Sequence, residues 1–251
     1  MIAQHRCSRI VSGFGQVALR MNPWRQFWGK SHRIYVNDRH RQVHYRQVAD
    51  DILGVLPAPG LTVLDYGCGD ALDAERVAAQ VGRLYLFDAV DEVRDRLTLR
   101  FDGGRNIVVL GEAQLAGLAP ASVDVVVVNS VVQYLDRGEL ERMLAQARRL
   151  LRPGGMLVVA DVIPPDAGAV DDVAALLGSA ARHGFLLAAI GGLFATFFSD
   201  YRRLRRSVGL ATYSETEFLR ILAGAGFTAR RRPRNFGFNA KRLTFIAHPA
   251  A

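Results

Sequence analysis

Residues 63–70 read VLDYGCGD, and residues 84–88 read LYLFD. Each stretch is a short apolar run that ends in or runs into an acid, and the first leads directly into Gly67 and Gly69. A Gly-x-Gly turn carries few side chains, so a ligand can lie against its backbone. Asp88 follows about twenty residues after these glycines, where a carboxylate can accept both hydroxyls of a ribose. Strand, glycine turn, helix, strand and acid, in this order, predict a nucleoside-binding site.

A dinucleotide site of this layout needs a third glycine three residues after the second, where the helix N-terminus holds a pyrophosphate. Leu72 occupies that position. With its acid-x-Gly-x-Gly stretch and its ribose acid, the chain resembles the class I S-adenosylmethionine-dependent methyltransferases, which bind no pyrophosphate. Many members have a further glycine where this chain has Ala71. Because alanine is small, we expect the ligand to lie slightly farther from the backbone of the turn but still to bind.

The resemblance continues downstream and covers residues 61–161. A predicted third strand, residues 106–110, is followed by Glu112, Ala113 and Gln114, where family members hold the adenine. The resemblance implies that the backbone N–H of Ala113 and the side chain of Gln114 reach that ring.

A fourth predicted strand, residues 123–128, ends in Asn129 and Ser130, which correspond to the family motif beside the reactive methyl group. Residues 151–161 resemble the family's next loop and strand. The resemblance thus implies S-adenosylmethionine as the cofactor, held by Asp65, Gly67, Cys68, Gly69, Asp88, Ala89, Glu112, Ala113, Gln114, Asn129 and Ser130.

Strands and helices alternate along the chain, which predicts an α/β protein with a parallel sheet covered on both faces. Further helices are predicted over residues 70–80, 91–100, 136–151 and 214–225, and further strands over 227–231 and 243–247. The resemblance implies a Rossmann-like, seven-stranded, mostly parallel sheet with helices on both faces and an antiparallel C-terminal hairpin.

Length and composition fit one enzyme-sized domain, because 251 residues with 50% hydrophobic content can bury a sizeable core. The two cysteines, Cys7 and Cys68, exclude a disulfide framework, and no Cys/His cluster has metal-ligand spacing. We therefore expect no metal site and interpret Cys68 as a small filler of the glycine turn.

The net charge of +8 invites a nucleic-acid interpretation, but the basic residues are nearly all arginine. Many nucleic-acid N-methyltransferases carry Pro-Pro and an aromatic residue after the fourth motif, whereas Asn129 is followed by Ser-Val-Val. Nucleic acid is therefore disfavoured as a partner.

Two regions outside the common core are expected to set the specificity for the acceptor. Residues 1–60 are expected to form a basic arm and, from about Val36, a cap helix over the cofactor mouth. Whether residues 1–20 are ordered, or belong to the native protein, stays open. Residues 61–251 form the methyltransferase domain, with an insert at 163–212. We expect this insert to be a lid or acceptor-binding element, with residues 202–206 at its rim. Its apolar face consists of Leu187, Ile190, Phe194 and Phe197. A buried core helix and an interfacial helix on anionic lipid are the alternatives.

The predicted function is methyl transfer to a small, apolar or lipid-like metabolite by a cytoplasmic protein, with peripheral contact to an anionic membrane as an option. An RNA methyltransferase and a non-catalytic nucleoside-binding module of the same fold are the alternatives. Methyl transfer needs a base only if the acceptor carries its proton. The catalytic candidates are His40, His44 and His183, each with a structural role as its alternative, and Tyr134, which is expected to line the acceptor pocket. The acceptor, the methylated atom and the oligomeric state stay open.

Overall fold

The computed structural model describes residue 24 and residues 35–104, 106–197 and 209–250. The strands are β1 (Thr62–Tyr66), β2 (Arg83–Phe87), β3 (Ile107–Leu110), β4 (Val123–Asn129), β5 (Leu151–Val162), β6 (Phe227–Arg232) and β7 (Leu243–Pro249). The helices are α1 (Asp38–Leu53), α2 (Ala74–Ala78), α3 (Asp91–Phe101), α4 (Glu112–Gly117), α5 (Arg137–Leu150), α6 (Ala169–His183), α7 (Leu186–Phe197) and α8 (Glu215–Gly224), with a 3-10 turn at Val132–Tyr134. The basic arm before residue 24 and residues 202–206 lie outside the described residues, as do the side chains of Phe194 and Phe197.

The strands form one seven-stranded sheet in the order β3-β2-β1-β4-β5-β7-β6. The first five strands in this order are parallel, and β7 runs antiparallel to both β5 and β6. The fold class predicted from the sequence is therefore confirmed. Strands β2 and β3 lie on one side of β1, whereas β4 and β5 lie on the other side, so the strand order reverses between β1 and β4. In open α/β sheets, ligands bind at such a point, outside the carboxyl ends of the strands.

Both faces of the central strands are buried, which is why these strands are mainly apolar. Successive side chains point to opposite faces, so that Val63 packs under α1, α2 and α3, and Leu64 packs under α4, α5 and α8. Val125 and Val126 on β4 divide between the two faces in the same way. The helices thus form a layer on each side of the sheet and leave the carboxyl ends of β1, β2 and β4 to form a site.

The helix after the glycine turn is shorter than predicted. It covers Ala74–Ala78 rather than residues 70–80, because Ala71 has a φ of 43° and cannot be part of a right-handed helix. Helix α5 begins with a capping box: the Asp136 carboxylate accepts from the N–H of Glu139, and the Glu139 carboxylate accepts from the N–H of Asp136.

The described part of the insert contains two helices, α6 and α7. Gly184, with a φ of 75°, ends α6 and allows α7 to leave in a new direction. Phe185 and Ala189 are buried against Val43 of α1, and the ring of Phe185 stacks on that of His40 at 5.2 Å. Among the described helices, none combines the length and apolar character needed to cross a bilayer.

Candidate functional site

A cavity of about 380 Å³ lies at the carboxyl ends of β1, β2 and β4. It brings together most of the residues singled out in the sequence. Lining it are Asp65, Gly67, Cys68, Gly69, Asp88, Ala89, Asn129, Ser130, His44 and Tyr134. The described residues contain no group of three or more His, Cys, Asp or Glu placed to hold a metal ion.

The glycine turn has a shape that excludes side chains. Gly67 has a φ of 79° and Gly69 a φ of 57°, both in the left-handed region that favours glycine. A Cβ at Gly67 would overlap the side chain of Val131, and one at Gly69 would lie 2.7 Å from the Tyr45 hydroxyl. The N–H groups of Gly67 and Cys68 both donate to the carbonyl of Phe87, at 2.7 and 3.1 Å. The turn is thus held against the end of β2, with its backbone facing the cavity.

Ala71 is buried and adopts a φ of 43°, a conformation that is unfavourable for a residue with a Cβ. The resemblance noted above places a glycine here in many methyltransferases. The backbone at Ala71 therefore keeps a conformation that favours glycine, and the alanine side chain makes this conformation locally strained.

Asp88 is held in a fixed orientation. One carboxylate oxygen accepts from the N–H of Gly69 and the other from the N–H of Val90, each at 3.0 Å. Burial raises the pKa of Asp88, while these two N–H groups and the guanidinium of Arg94 oppose the rise. Each oxygen of a carboxylate has a second lone pair, so both can accept a further hydroxyl hydrogen bond. The geometry is suited to a vicinal diol.

Asp65 lies across the glycine turn from Asp88. Burial, and secondly the nearby Asp88 carboxylate, raise the pKa of Asp65 to about 7. Burial and the same two acids raise the pKa of the Cys68 thiol well above its usual range, so Cys68 stays protonated as a small filler. Two carboxylates in a partly desolvated wall favour a positively charged ligand.

Helix α1 covers the glycine turn. The Tyr45 hydroxyl accepts from the N–H of Asp70 at 2.8 Å, and Arg41 pairs with the Asp70 carboxylate at 3.0 Å. Burial raises the pKa of Tyr35 to about 12 and that of Tyr45 well above its usual value, so both phenols are neutral. Tyr35, Tyr45, Val48 and Trp24 all line the cavity and were not predicted as site residues. Val48 could have been predicted as a site residue, because it follows the candidate His44 by four residues and therefore lies on the same face of the helix.

Of the three candidate histidines, only His44 lines the cavity. Burial, and secondly His40, lower the pKa of His44 to about 4, so its imidazole is neutral at pH 7. His40 accepts from the N–H of Val36 and packs on Phe185. The Nδ1 of His183 lies 2.8 Å from the carbonyl oxygen of Ser179. His40 and His183 therefore have structural contacts away from the cavity.

The end of β4 has an unusual backbone. Ser130 and Asp161, at the ends of neighbouring strands, have φ values of 57° and 61°, and the Ser130 hydroxyl donates to the Asp161 carboxylate at 2.8 Å. Burial raises the pKa of Asp161, and Arg242, at 3.6 Å, opposes this rise. The Gln133 side-chain amide donates to the Ser130 carbonyl. This network holds the turn that carries Tyr134 into the cavity.

Glu112, Ala113 and Gln114 do not line the cavity. All three are exposed, and the Gln114 side chain accepts from the N–H of Gly111 at 2.7 Å, which caps its own helix. Their contact with an adenine ring stays a prediction.

None of the described residues of the insert lines the cavity, and residues 198–208 lie outside the described part of the chain, so the lid stays a prediction. Helices α6 and α7 instead pack on α1, since their buried side chains face Val36 and Val43. The segment that rejoins α8 does approach the site, because the N–H of Ala211 donates to the carbonyl of Gln133. The cover of the site is therefore α1, with Tyr35 and Trp24.

Comparison with known proteins agrees with this geometry. Residues 64–159 match a family model described as "Methyltransferase domain". An uncharacterized methyltransferase of Mycobacterium tuberculosis is 28% identical over 123 residues, which are 49% of this chain and 60% of that protein. The chain thus spans less than two thirds of the length of this curated relative.

Two solved structures share the architecture. A magnesium protoporphyrin IX methyltransferase from Synechocystis PCC 6803, with bound S-adenosylhomocysteine, has a TM-score of 0.53 at 18% identity, over 90% of this chain and 93% of its own. A 1,6-didemethyltoxoflavin-N1-methyltransferase from Burkholderia thailandensis has a TM-score of 0.52 at 19% identity, over 83% of this chain and 79% of its own. At these identities the similarity shows the fold alone.

Proposed function

We propose that this protein, whose residues 64–159 match a methyltransferase-domain model, is a class I S-adenosylmethionine-dependent methyltransferase that transfers a methyl group to a small, mainly apolar acceptor. The composition of the cavity carries the proposal. The lining combines Asp65, Asp88 and the glycine turn with aromatic and aliphatic side chains of α1 and of the turn after β4, and with Glu139, Arg142 and Gln146 of α5. The acids and the glycine turn suit a nucleoside, and the aromatic and aliphatic side chains suit an apolar acceptor.

The residues present fit the donor. Gly67 and Gly69 leave their backbone open where any Cβ would meet Val131 or Tyr45. Asp88 is oriented to accept the two ribose hydroxyls, and Asp65 is placed to stabilise positive charge. S-adenosylmethionine, when bound, supplies a methyl group on a positively charged sulfur. Because an opposite charge favours the ionised form of a carboxyl, Asp65 would ionise fully beside such a ligand.

The acceptor wall consists of His44, Val48, Tyr134 and Leu135. Helix α1, fastened to the glycine turn through Tyr45 and Arg41, keeps this wall in place over the donor site. An apolar acceptor held between these side chains would displace water. Methyl transfer depends chiefly on such alignment, since the leaving group is already good.

His44 is suited to hydrogen bonding more than to strong base catalysis. Its neutral imidazole can accept or donate a hydrogen bond at pH 7, but a pKa near 4 makes it a weak proton acceptor. The site therefore favours acceptors that already present a lone pair, or that lose a proton readily. Tyr134, whose turn is fixed by the Ser130 network, would form the adjoining side of the acceptor pocket.

The first test is calorimetric titration of the whole chain with S-adenosylhomocysteine and with NAD. Binding of S-adenosylhomocysteine is expected, and Asp88→Ala is expected to weaken it, while Asp95→Asn, which removes an exposed carboxylate of the neighbouring α3, leaves it unchanged. Binding of NAD without S-adenosylhomocysteine would overturn the donor assignment.

The second test uses S-adenosylmethionine labelled on its methyl group, incubated with a cell extract that contains small metabolites and RNA. Label is expected in the organic-soluble fraction. Label recovered in RNA would favour the RNA methyltransferase, and donor binding with no label transferred would favour the non-catalytic module.

A further inference from the structure

Exposed large apolar side chains are concentrated on the insert. Among the described residues they are Val170, Leu186, Leu187 and Ile190 on α6 and α7, and Leu99 on α3. Leu187 is 87% exposed and Ile190 42% exposed. An apolar group of this kind on one surface is typical of an interaction site.

The described side chains at the start of α7, residues 186–190, have one covered side and one open side. Ala189, with the preceding Phe185, is buried against α1, whereas Leu187 and Ile190 point to solvent on a different side of the helix. The sequence of α7, LLAAIGGLFATF, contains no charged residue. At about 1.5 Å per residue the helix is far too short to cross the roughly 30 Å core of a bilayer. Its open face can therefore lie on an apolar surface but cannot span one.

The charge around α7 is positive. The acids of α6, Asp171 and Asp172, lie in its first turn and are paired at 2.8 Å with Lys241 and Arg242. Its last turn, next to α7, carries Arg182. In the sequence after α7, Arg202, Arg203, Arg205 and Arg206 accompany a single acid, Asp200, and the whole chain has a net charge of +8.

We propose that the open face of α7 docks on an anionic lipid surface. Leu187 and Ile190 enter the boundary between headgroups and acyl chains, and Arg182, in the last turn of α6, contacts lipid phosphate. A second copy of this chain would also cover the apolar face, but two copies that each carry a net charge of +8 repel each other, whereas an anionic surface attracts the chain. The proposal is independent of methyl transfer, because it concerns where the protein lies and not what it binds in the cavity.

Flotation of the whole chain with lipid vesicles tests this surface. The chain is expected to float with vesicles of mixed phosphatidylcholine and phosphatidylglycerol, and much less with phosphatidylcholine alone. Leu187→Asn combined with Ile190→Asn is expected to lower the partition coefficient at least tenfold, since burying each such side chain is strongly favourable. Leu99→Asn is the matched control, because Leu99 is 83% exposed on another helix, and it is expected to partition like the wild type.

Thermal unfolding checks that the variants are folded, which is expected because all three positions are exposed. The proposal is overturned if the wild type does not float, if the double variant floats equally well, or if Leu99→Asn loses as much binding. Light scattering without lipid gives a further outcome: a dimer that the double variant converts to a monomer would identify a second copy as the occupant and would also overturn it.

Discussion

Replacing Asp65 by Asn is expected to stabilise the ligand-free protein at pH 8 and to leave its stability unchanged near pH 4. Burial and Asp88 raise the pKa of Asp65 to about 7, whereas an aspartate in an unfolded chain has a pKa of about 3.9. Folding therefore opposes the ionisation of Asp65. The ionised Asp65 carboxylate therefore destabilises the folded protein. This destabilisation is absent below about pH 4, grows as the pH rises, and is complete above about pH 7.

The size of the effect follows from this difference. Three pKa units at about 1.36 kcal/mol each give an upper limit of about 4 kcal/mol above pH 7. For a chain of this size, about 1 kcal/mol corresponds to a change in Tm of roughly 2–4 °C. We expect Asp65→Asn to raise Tm at pH 8 by on the order of 5–10 °C.

Thermal unfolding of the wild type and of Asp65→Asn, followed by circular dichroism from pH 4 to pH 8, measures this difference. Asp95→Asn is the control for the loss of one negative charge, since Asp95 is exposed on α3. Parallel Tm–pH curves for the wild type and Asp65→Asn would refute the reasoning, and so would an equal rise in Asp95→Asn.

Four further outcomes are expected. Binding of S-adenosylmethionine at pH 7 should release a proton from Asp65, seen as a binding enthalpy that depends on the ionisation enthalpy of the buffer; no such dependence would contradict the assigned pKa. Asp88→Ala should raise the Kd for S-adenosylhomocysteine at least tenfold, because hydrogen bonds to a charged group contribute about 1.5–3 kcal/mol each; an unchanged Kd would exclude Asp88 as the ribose acid. Ala71→Gly should raise the free energy of unfolding by up to about 1 kcal/mol in urea, because the left-handed φ disfavours alanine more than folding disfavours glycine. Tyr45→Phe should weaken S-adenosylhomocysteine binding and lower Tm, because the Asp70 N–H loses its acceptor; no change in either would exclude α1 as a functional cover.

The strands and the glycine turn could be predicted from local sequence. β1, β2 and β4 are buried on both faces, so each is a short, mainly apolar run, and the turn residues around it mark it as a strand. Gly67 and Gly69 have positive φ, and this conformational demand is visible in the sequence as a Gly-x-Gly pair. The cap of α5 joins Asp136 and Glu139, only three residues apart.

Predictions that depended on the surroundings of a residue were less successful. The resemblance implied an adenine contact for Gln114; its side chain accepts from the N–H of Gly111, and the adenine contact stays a prediction. The length of α2 was overestimated because the backbone conformation of Ala71 is imposed by the turn around it.

The sequence by itself determined which strands form, where the turn lies and which acids follow them, because these features depend on residues close together in the chain. Only the tertiary structure decided what covers the site. Tyr45 reaches the N–H of Asp70 from 25 residues away, and Ser130 meets Asp161 from the next strand. α6 and α7 pack on α1 instead of entering the cavity. Such docking depends on the fit between surfaces of distant segments, and the periodicity of a single segment shows which face is apolar but not which partner that face meets.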